Sequence, residues 1–83
     1  MPVTLKLFAT LSDHLPPQAR QNQVELDWAV GQSVQAVIDH LGLPPKLVHL
    51  VLVDGVFIPP PQRATRLLKD GEALAIWPPI AGG

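Results

Sequence analysis

Residues 33–45 read SVQAVIDHLGLPP, the best-marked element of the chain. Ser33 suits an N-cap position, because its hydroxyl can accept from a first-turn amide that has no partner within the helix. Val34, Val37, Ile38 and Leu41 follow at the i, i+3, i+4, i+7 spacing that lines one helix face. Gly42 can take the left-handed conformation just past the helix end, Leu43 can pack back on the last turn, and Pro44 with Pro45 forbid continuation. The spacing predicts one amphipathic helix of about nine residues. A lone helix with one apolar face needs a sheet face to bury it, so the flanking segments must supply strands.

They carry the period of two that strands require. VTLKLFA (residues 3–9) sets Val3, Leu5 and Leu7 against Thr4, Lys6 and Phe8, and VELDW (24–28) alternates again until Gly31 ends it. Between them, TLSDHLPPQARQNQ (10–23) is a polar, turn-prone loop with room for a short helical turn near Leu11 to Leu15. HLVLVDGVFI (49–58) is β-rich and broken by Asp54-Gly55, the dipeptide suited to a two-residue hairpin turn. In the connector PPPQRATRLLKDGE (59–72), Leu67 and Leu68 are expected to plug the core and Asp70-Gly71 to turn the chain into a last strand, EALAIW (72–77). The predicted order is strand, strand, helix, strand, short strand, strand, with no internal repeat and no linker that would split it. The fold class is α+β, one mixed sheet of four to five strands wrapped over one main helix; the order of strands within the sheet is not fixed by such patterns.

Composition narrows the function. The 83 residues allow one domain, and 47% apolar against 16% charged residues place the chain among folded proteins. The formal net charge is −1, with Lys6, Arg20, Lys46, Arg63, Arg66 and Lys69 scattered, so there is no basic stripe for nucleic acid. The absence of cysteine excludes disulfides, thiolate metal sites and a cysteine nucleophile. No apolar run approaches the roughly 20 residues of a membrane span, and the start lacks the pattern of a signal peptide, so no membrane partner is expected and the expected location is cytoplasmic.

The polar candidates for catalysis are accounted for singly. His14, His40 and His49 fall on a loop, the helix and a strand without the spacing of a metal pair, so no metal site is expected. Asp39 and His40 are adjacent on the helix and point different ways, Asp54 and Asp70 each precede a turn glycine, and Glu25 with Asp27 share a solvated strand side. Ser33 has its cap role, and the glycines are isolated rather than gathered into a phosphate loop.

What remains is WPPIAGG (77–83). Pro78 and Pro79 fix φ and favour an extended backbone, Ile80 and Ala81 act as spacer, and Gly82 and Gly83 have no β-carbon to bar them from a channel as narrow as a backbone. Extended, residues 78–83 span roughly 20 Å. The expected division is a domain over residues 1–77 and a flexible tail over 78–83, with a frayed terminus as the plain alternative.

These segments together resemble the MoaD/ThiS family of ubiquitin-like sulfur carriers, through LKLFATLSDHLP, VGQSVQAVIDHLGLPP, LVLVDGVFIP and above all LLKDGEALAIWPPIAGG. The Pro-Pro step, the short spacer and the diglycine are closest to the small subunit of molybdopterin synthase (MoaD-like). The resemblance implies a ubiquitin-like β-grasp fold with the last strand central and parallel to the first. It implies that the Gly83 carboxylate is adenylated by a ubiquitin-activating-type (MoeB/ThiF-like) adenylyltransferase, which would be the component using ATP and Mg; no cofactor is expected on this chain. The adenylate would become a thiocarboxylate through a sulfur donor such as a cysteine desulfurase or rhodanese-like protein, then donate sulfur to a large subunit of molybdopterin synthase (MoaE-like). The protein would be a co-substrate, not an enzyme by itself.

In the implied topology Val3, Leu5, Leu7, Leu74 and Ile76 face the helix, which turns Phe8, Ala75 and Trp77 to the opposite face with Leu52 beside them, a candidate partner interface. The alternative is that Phe8 or Trp77 packs under the long loop or under Pro59–Pro61. Three other functions share the same residues: a carrier for thiamine, cysteine or thionucleotide synthesis, a ubiquitin-like modifier conjugated through Gly83, and a noncatalytic binding module.

Overall fold

Five strands and one helix form in the expected order. They are β1 (Val3–Leu7), β2 (Gln23–Leu26), α1 (Val34–Leu41), β3 (Leu50–Val53), β4 (Val56–Phe57) and β5 (Ala73–Trp77). The structure, a computed structural model, describes residues 1–79. The sheet order is β2-β1-β5-β3-β4, with β1 and β5 parallel and every other pair antiparallel. The last strand thus lies at the sheet centre beside the first. A mixed sheet of this order over one helix is the ubiquitin-like β-grasp.

Alternation explains which face is covered. Val3, Leu5 and Leu7 of β1, Val51 and Val53 of β3, and Leu74 and Ile76 of β5 are buried, and α1 lays Val34, Val37 and Ile38 on them. Each such side chain contributes about 1.5–3 kcal/mol of burial. The helix ends are built as the sequence suggests. Ser33 Oγ accepts from the Ala36 amide at 3.0 Å. At the other end Gly42 has φ 70°, and the Leu43 amide donates to Ile38 at 3.3 Å as its side chain enters the core. The helix has eight residues, one fewer than the spacing predicts. The connector completes its N-terminus: the amides of Val34 and Gln35 donate to the carbonyls of Arg66 and Arg63 at 2.9 and 2.8 Å.

Asp54 and Gly55 both have positive φ (49° and 82°), the requirement of the tight β3–β4 turn. Asp54 does more than turn the chain, because its Oδ1 accepts from the Ala73 amide at 2.7 Å and ties the hairpin to the start of β5. The long loop contains a 3-10 turn over Ala9–His14, beginning earlier than expected, which drops Leu11 into the core.

Two expectations are corrected. Trp28 is not the last residue of β2, because residues Asp27–Ala29 form a 3-10 turn. That turn sends Ala29 inward and leaves Trp28 40% exposed, its ring 4.2 Å from that of His40. Leu67 does not plug the core, since it is 54% exposed while Leu68 is 1% exposed. The segment bridges to Ser33 in an extended geometry, with Leu68 and Gln32 joined at 2.8 Å, and extended backbone turns neighbouring side chains to opposite sides.

Candidate functional site

The parallel pairing of β1 and β5 sets the geometry around the expected site. Lys6 lies opposite Ala75 and Leu7 opposite Ile76, so Phe8 comes level with Trp77. β1 ends at Leu7, because Ala9 takes φ 53° and turns the chain away. The Phe8 amide still donates to Ile76 at 3.2 Å, and the Phe8 and Trp77 rings lie parallel, 1° apart in plane with centroids at 4.1 Å. On the other side of β5, Ala75 is opposite Leu52 and Trp77 opposite Leu50. The four residues Phe8, Leu52, Ala75 and Trp77 therefore share the sheet face turned away from α1, and each is half-buried. Phe8 and Trp77 cover one another.

The same face carries two residues that the sequence reading passed over. Leu50 is 36% exposed, and Phe57, opposite Leu52, is 49% exposed. Both were legible in principle: Leu50 is two residues before Leu52, and the two-residue Asp54-Gly55 turn sets Phe57 across from Leu52. An aromatic and aliphatic surface thus runs from Phe8 to Phe57 across three adjoining strands and the end of β1.

At the root of the tail, the Trp77 carbonyl accepts from the His49 amide at 3.1 Å. Pro78 and Pro79 have no amide proton to continue the ladder, and Pro78 is buried while Pro79 is exposed. Ile80, Ala81, Gly82 and Gly83, on which the tail-threading and activation roles fall, lie outside the described residues.

The entry to β5 is held by charge. Arg66 grips Glu72 with both ends of its guanidinium, Nη2 to Oε2 at 2.6 Å and Nη1 to Oε1 at 3.2 Å, and also donates to the Leu67 carbonyl. Glu72 Oε1 further accepts from the Lys69 amide at 2.7 Å. The Arg66 hydrogen bond, with help from that amide, holds the Glu72 carboxyl below its ordinary range, and the same bond raises Arg66.

The remaining polar candidates stay apart. His14 sits in the 3-10 turn, His40 on α1 and His49 just before β3, and among the described residues no three His, Asp or Glu side chains gather as a metal site would need. Asp39 accepts from Gln35 at 2.9 Å, and Asp70 lies 3.6 Å from the Met1 ammonium. Among the described residues no helix is long and apolar enough to cross a membrane.

Comparison with known proteins agrees with the topology. The Haloferax volcanii protein HVO 2177, known from a solution structure, is 25% identical and superposes with a TM-score of 0.74 over the whole of this chain and 87% of its own. The crystal structure of SAMP1 from Haloferax volcanii is 23% identical, with a TM-score of 0.65 over the full length of both chains, a likeness of fold. No curated protein matches. The sequence itself matches, over residues 1–81, the family described as Mut7-C ubiquitin. A ubiquitin-like topology with a central last strand, and a family match that takes in every strand and the helix, place the chain in the Mut7-C ubiquitin family.

Proposed function

We propose that this ubiquitin-like protein carries sulfur on the carboxylate of Gly83. The supporting observation is that the central strand β5 leads directly into Pro78-Pro79, beside the stacked Phe8 and Trp77, with Ile80, Ala81, Gly82 and Gly83 following in sequence. In this reading the body is a recognition unit and residues 78–83 are a tail that enters a partner's active site.

A free carboxylate has no usable leaving group. An adenylyltransferase of the ubiquitin-activating type would join the Gly83 carboxylate to the α-phosphate of ATP, releasing pyrophosphate and requiring Mg in that enzyme. The terminal sulfur of a persulfide on a cysteine desulfurase or rhodanese-like donor then displaces AMP to give an acyl disulfide, and a second thiol attacks the donor sulfur of that bond, releasing the thiocarboxylate and leaving the donor cysteine in a disulfide with that thiol. The absence of cysteine suits this role, since no internal thiol can divert the sulfur into a disulfide. The face bearing Phe8, Leu52, Ala75 and Trp77, extended by Leu50 and Phe57, is the surface by which partners hold the body while the tail reacts, because exposed aromatic side chains make effective anchors. The Pro-Pro step favours the large subunit of molybdopterin synthase as acceptor, with this chain as its small, noncatalytic subunit. Replacing sulfur by a lysine amine in the displacement gives an isopeptide bond instead, and the protein would then be a modifier.

The decisive experiment is intact-mass measurement after incubation with the adenylyltransferase, ATP, Mg and a sulfide source. Exchange of one Gly83 oxygen for sulfur is expected, and one residue added after Gly83 is expected to abolish the exchange without changing the fold. A Gly83 that never gains sulfur refutes the carrier reading, and lysine conjugates without thiocarboxylate establish the modifier.

A further inference from the structure

Arg63 is the one buried charged side chain among the described residues, 7% exposed, and none of their carboxylates approaches within ion-pair distance of it. Its position is fixed by the backbone. Nε donates to the Ile58 carbonyl at 3.1 Å and Nη2 to the His49 carbonyl at 3.4 Å, so one edge of the planar guanidinium is committed. The other edge, Nη1 with the second proton of Nη2, has no acceptor among the described residues. It is not sealed in, because no buried side-chain nitrogen or oxygen lacks a hydrogen-bond partner among the described residues.

Arg63 lines a cleft of about 100 Å³ between α1 and the segment that follows it. Ile38, Leu43 and Val48 give the cleft apolar walls, and Gln35 with Asp39 contribute polar groups from α1. Asp39 is exposed, its carboxylate bonded by Gln35 Nε2 at 2.9 Å. The cleft is thus lined by a fixed cation with three N–H donors to spare, aliphatic walls and one anion. A buried charge with nothing to offset it costs stability, and desolvation does lower the Arg63 guanidinium from its ordinary value.

We propose that this cleft is a binding site for a single carboxylate on a short aliphatic arm, received by the free edge of Arg63. The guanidinium edge matches the two oxygens of a carboxylate in spacing and planarity, which a lysine would not. The walls accept the methylenes behind it. Asp39 disfavours a dianion, so inorganic phosphate is the poorer ligand although its oxygens also fit an arginine fork. The arm belongs either to a free acid or to a glutamate side chain on another protein, and both present the same group. The site lies on the helix side of the sheet, away from the aromatic face, and stands whether or not Gly83 carries sulfur.

The test follows the Arg63 Nε–Hε resonance of the full-length protein by NMR while sodium acetate, sodium propionate, N-acetylglutamate amide or phosphate is added at constant ionic strength. Saturable shifts at Arg63 are expected with acetate and propionate, and weaker ones with phosphate. A blocked glutamate that binds as well as acetate assigns the arm to a protein side chain, and acetate binding without it assigns a free acid; either upholds the site. Asp39→Asn, a change at an exposed residue that takes no part in the Arg63 bonds to the His49 and Ile58 carbonyls, should tighten acetate about two- to threefold through removal of one charge lining the cleft. Arg63→Lys removes the Nε–Hε reporter, so binding to it is followed by the methyl resonances of Ile38, Leu43 and Val48, which should shift saturably with acetate in the wild type and not in the variant; if that variant does not fold, the wild-type and Asp39→Asn titrations decide. No saturable shift at Arg63 with acetate, phosphate binding as tightly as acetate, or an affinity unchanged in Asp39→Asn would each overturn the proposal.

Discussion

Glu72→Gln tests how firmly the entry to β5 is held. The Glu72 carboxylate accepts three hydrogen bonds, two from Arg66 and one from the Lys69 amide, and the pair is sheltered, with side chains 31% and 15% exposed for Arg66 and Glu72. An exposed ion pair is worth about 0–1 kcal/mol, and charge-assisted bonds with restricted water access are worth more. Glutamine keeps the shape and one acceptor oxygen for the Lys69 amide but loses the charge, so the substitution should cost about 1–2 kcal/mol at neutral pH. In a domain of this size that lowers Tm by roughly 5–10 °C. The pH dependence has a definite sign. The folded-state pKa of Glu72 lies below the ordinary 4.5, so between the two values the unfolded chain binds more protons than the folded one. The contribution of Glu72 is therefore fully present above the ordinary value and is lost as pH falls through the lower, folded one. Urea denaturation of both proteins, from neutral pH down to about pH 3, should show a constant gap that narrows only in the acid range, because the glutamine of the variant binds no proton there. The other carboxylates are common to both proteins and cancel. A gap that is absent at neutral pH, or that persists undiminished in acid, refutes the assignment.

Two further outcomes test the aromatic face and the end of β1. Phe8→Ala and Trp77→Ala, singly and together, should show a coupling of about 0.5–1.5 kcal/mol in denaturation, the worth of a ring pair beyond its buried area, and additive losses would mean that the stack adds nothing. Ala9→Gly should raise stability by about 0.4–1 kcal/mol, since Ala9 holds φ 53° where a side chain is strained, and a destabilised variant would show that Ala9 has packing worth more than its strain.

The helix and the strands were legible because their signals are local: Ser33 to Leu43 carries cap, face and stop within eleven positions, and alternation names the inward residues of β1 and β5 without knowledge of their partners. Alternation also placed Phe8, Leu52, Ala75 and Trp77 on one face, but only once the parallel β1–β5 pairing was taken from a family resemblance. The stack itself depends on that register, since moving β1 by one residue would turn Phe8 to the other side. Trp28 and Leu67 were misplaced at the two ends of one tertiary contact. Each lies next to residues 31–33, which pair in the fold with Leu67 and Leu68: the chain leaves β2 through the 3-10 turn of Asp27–Ala29 to reach that pairing, and the pairing itself decides which of the two leucines faces inward.

Arg63 marks where local reading stops. Between Pro59–Pro61 and a run of polar residues its neighbours suggest a solvated loop, and nothing nearby in sequence announces that the carbonyls of His49 and Ile58 will receive its guanidinium. Those bonds join the connector to the start of β3 and the end of β4, while the Arg63 carbonyl takes up the Gln35 amide of α1. The residue thus fastens helix and sheet through its backbone and one guanidinium edge, while its other edge has no acceptor among the described residues and Arg63 lines a cleft beside α1. The two ends of β5 show the same division of labour: its start is fixed by Asp54, Arg66 and Glu72, its finish by Phe8 and His49, so the strand is clamped along its length up to the residue that precedes Pro78. A strand held in that way fixes the position of Pro78 and Pro79 at the end of the sheet, which is what the proposed presentation of the Gly83 carboxylate to a partner's active site requires of the body.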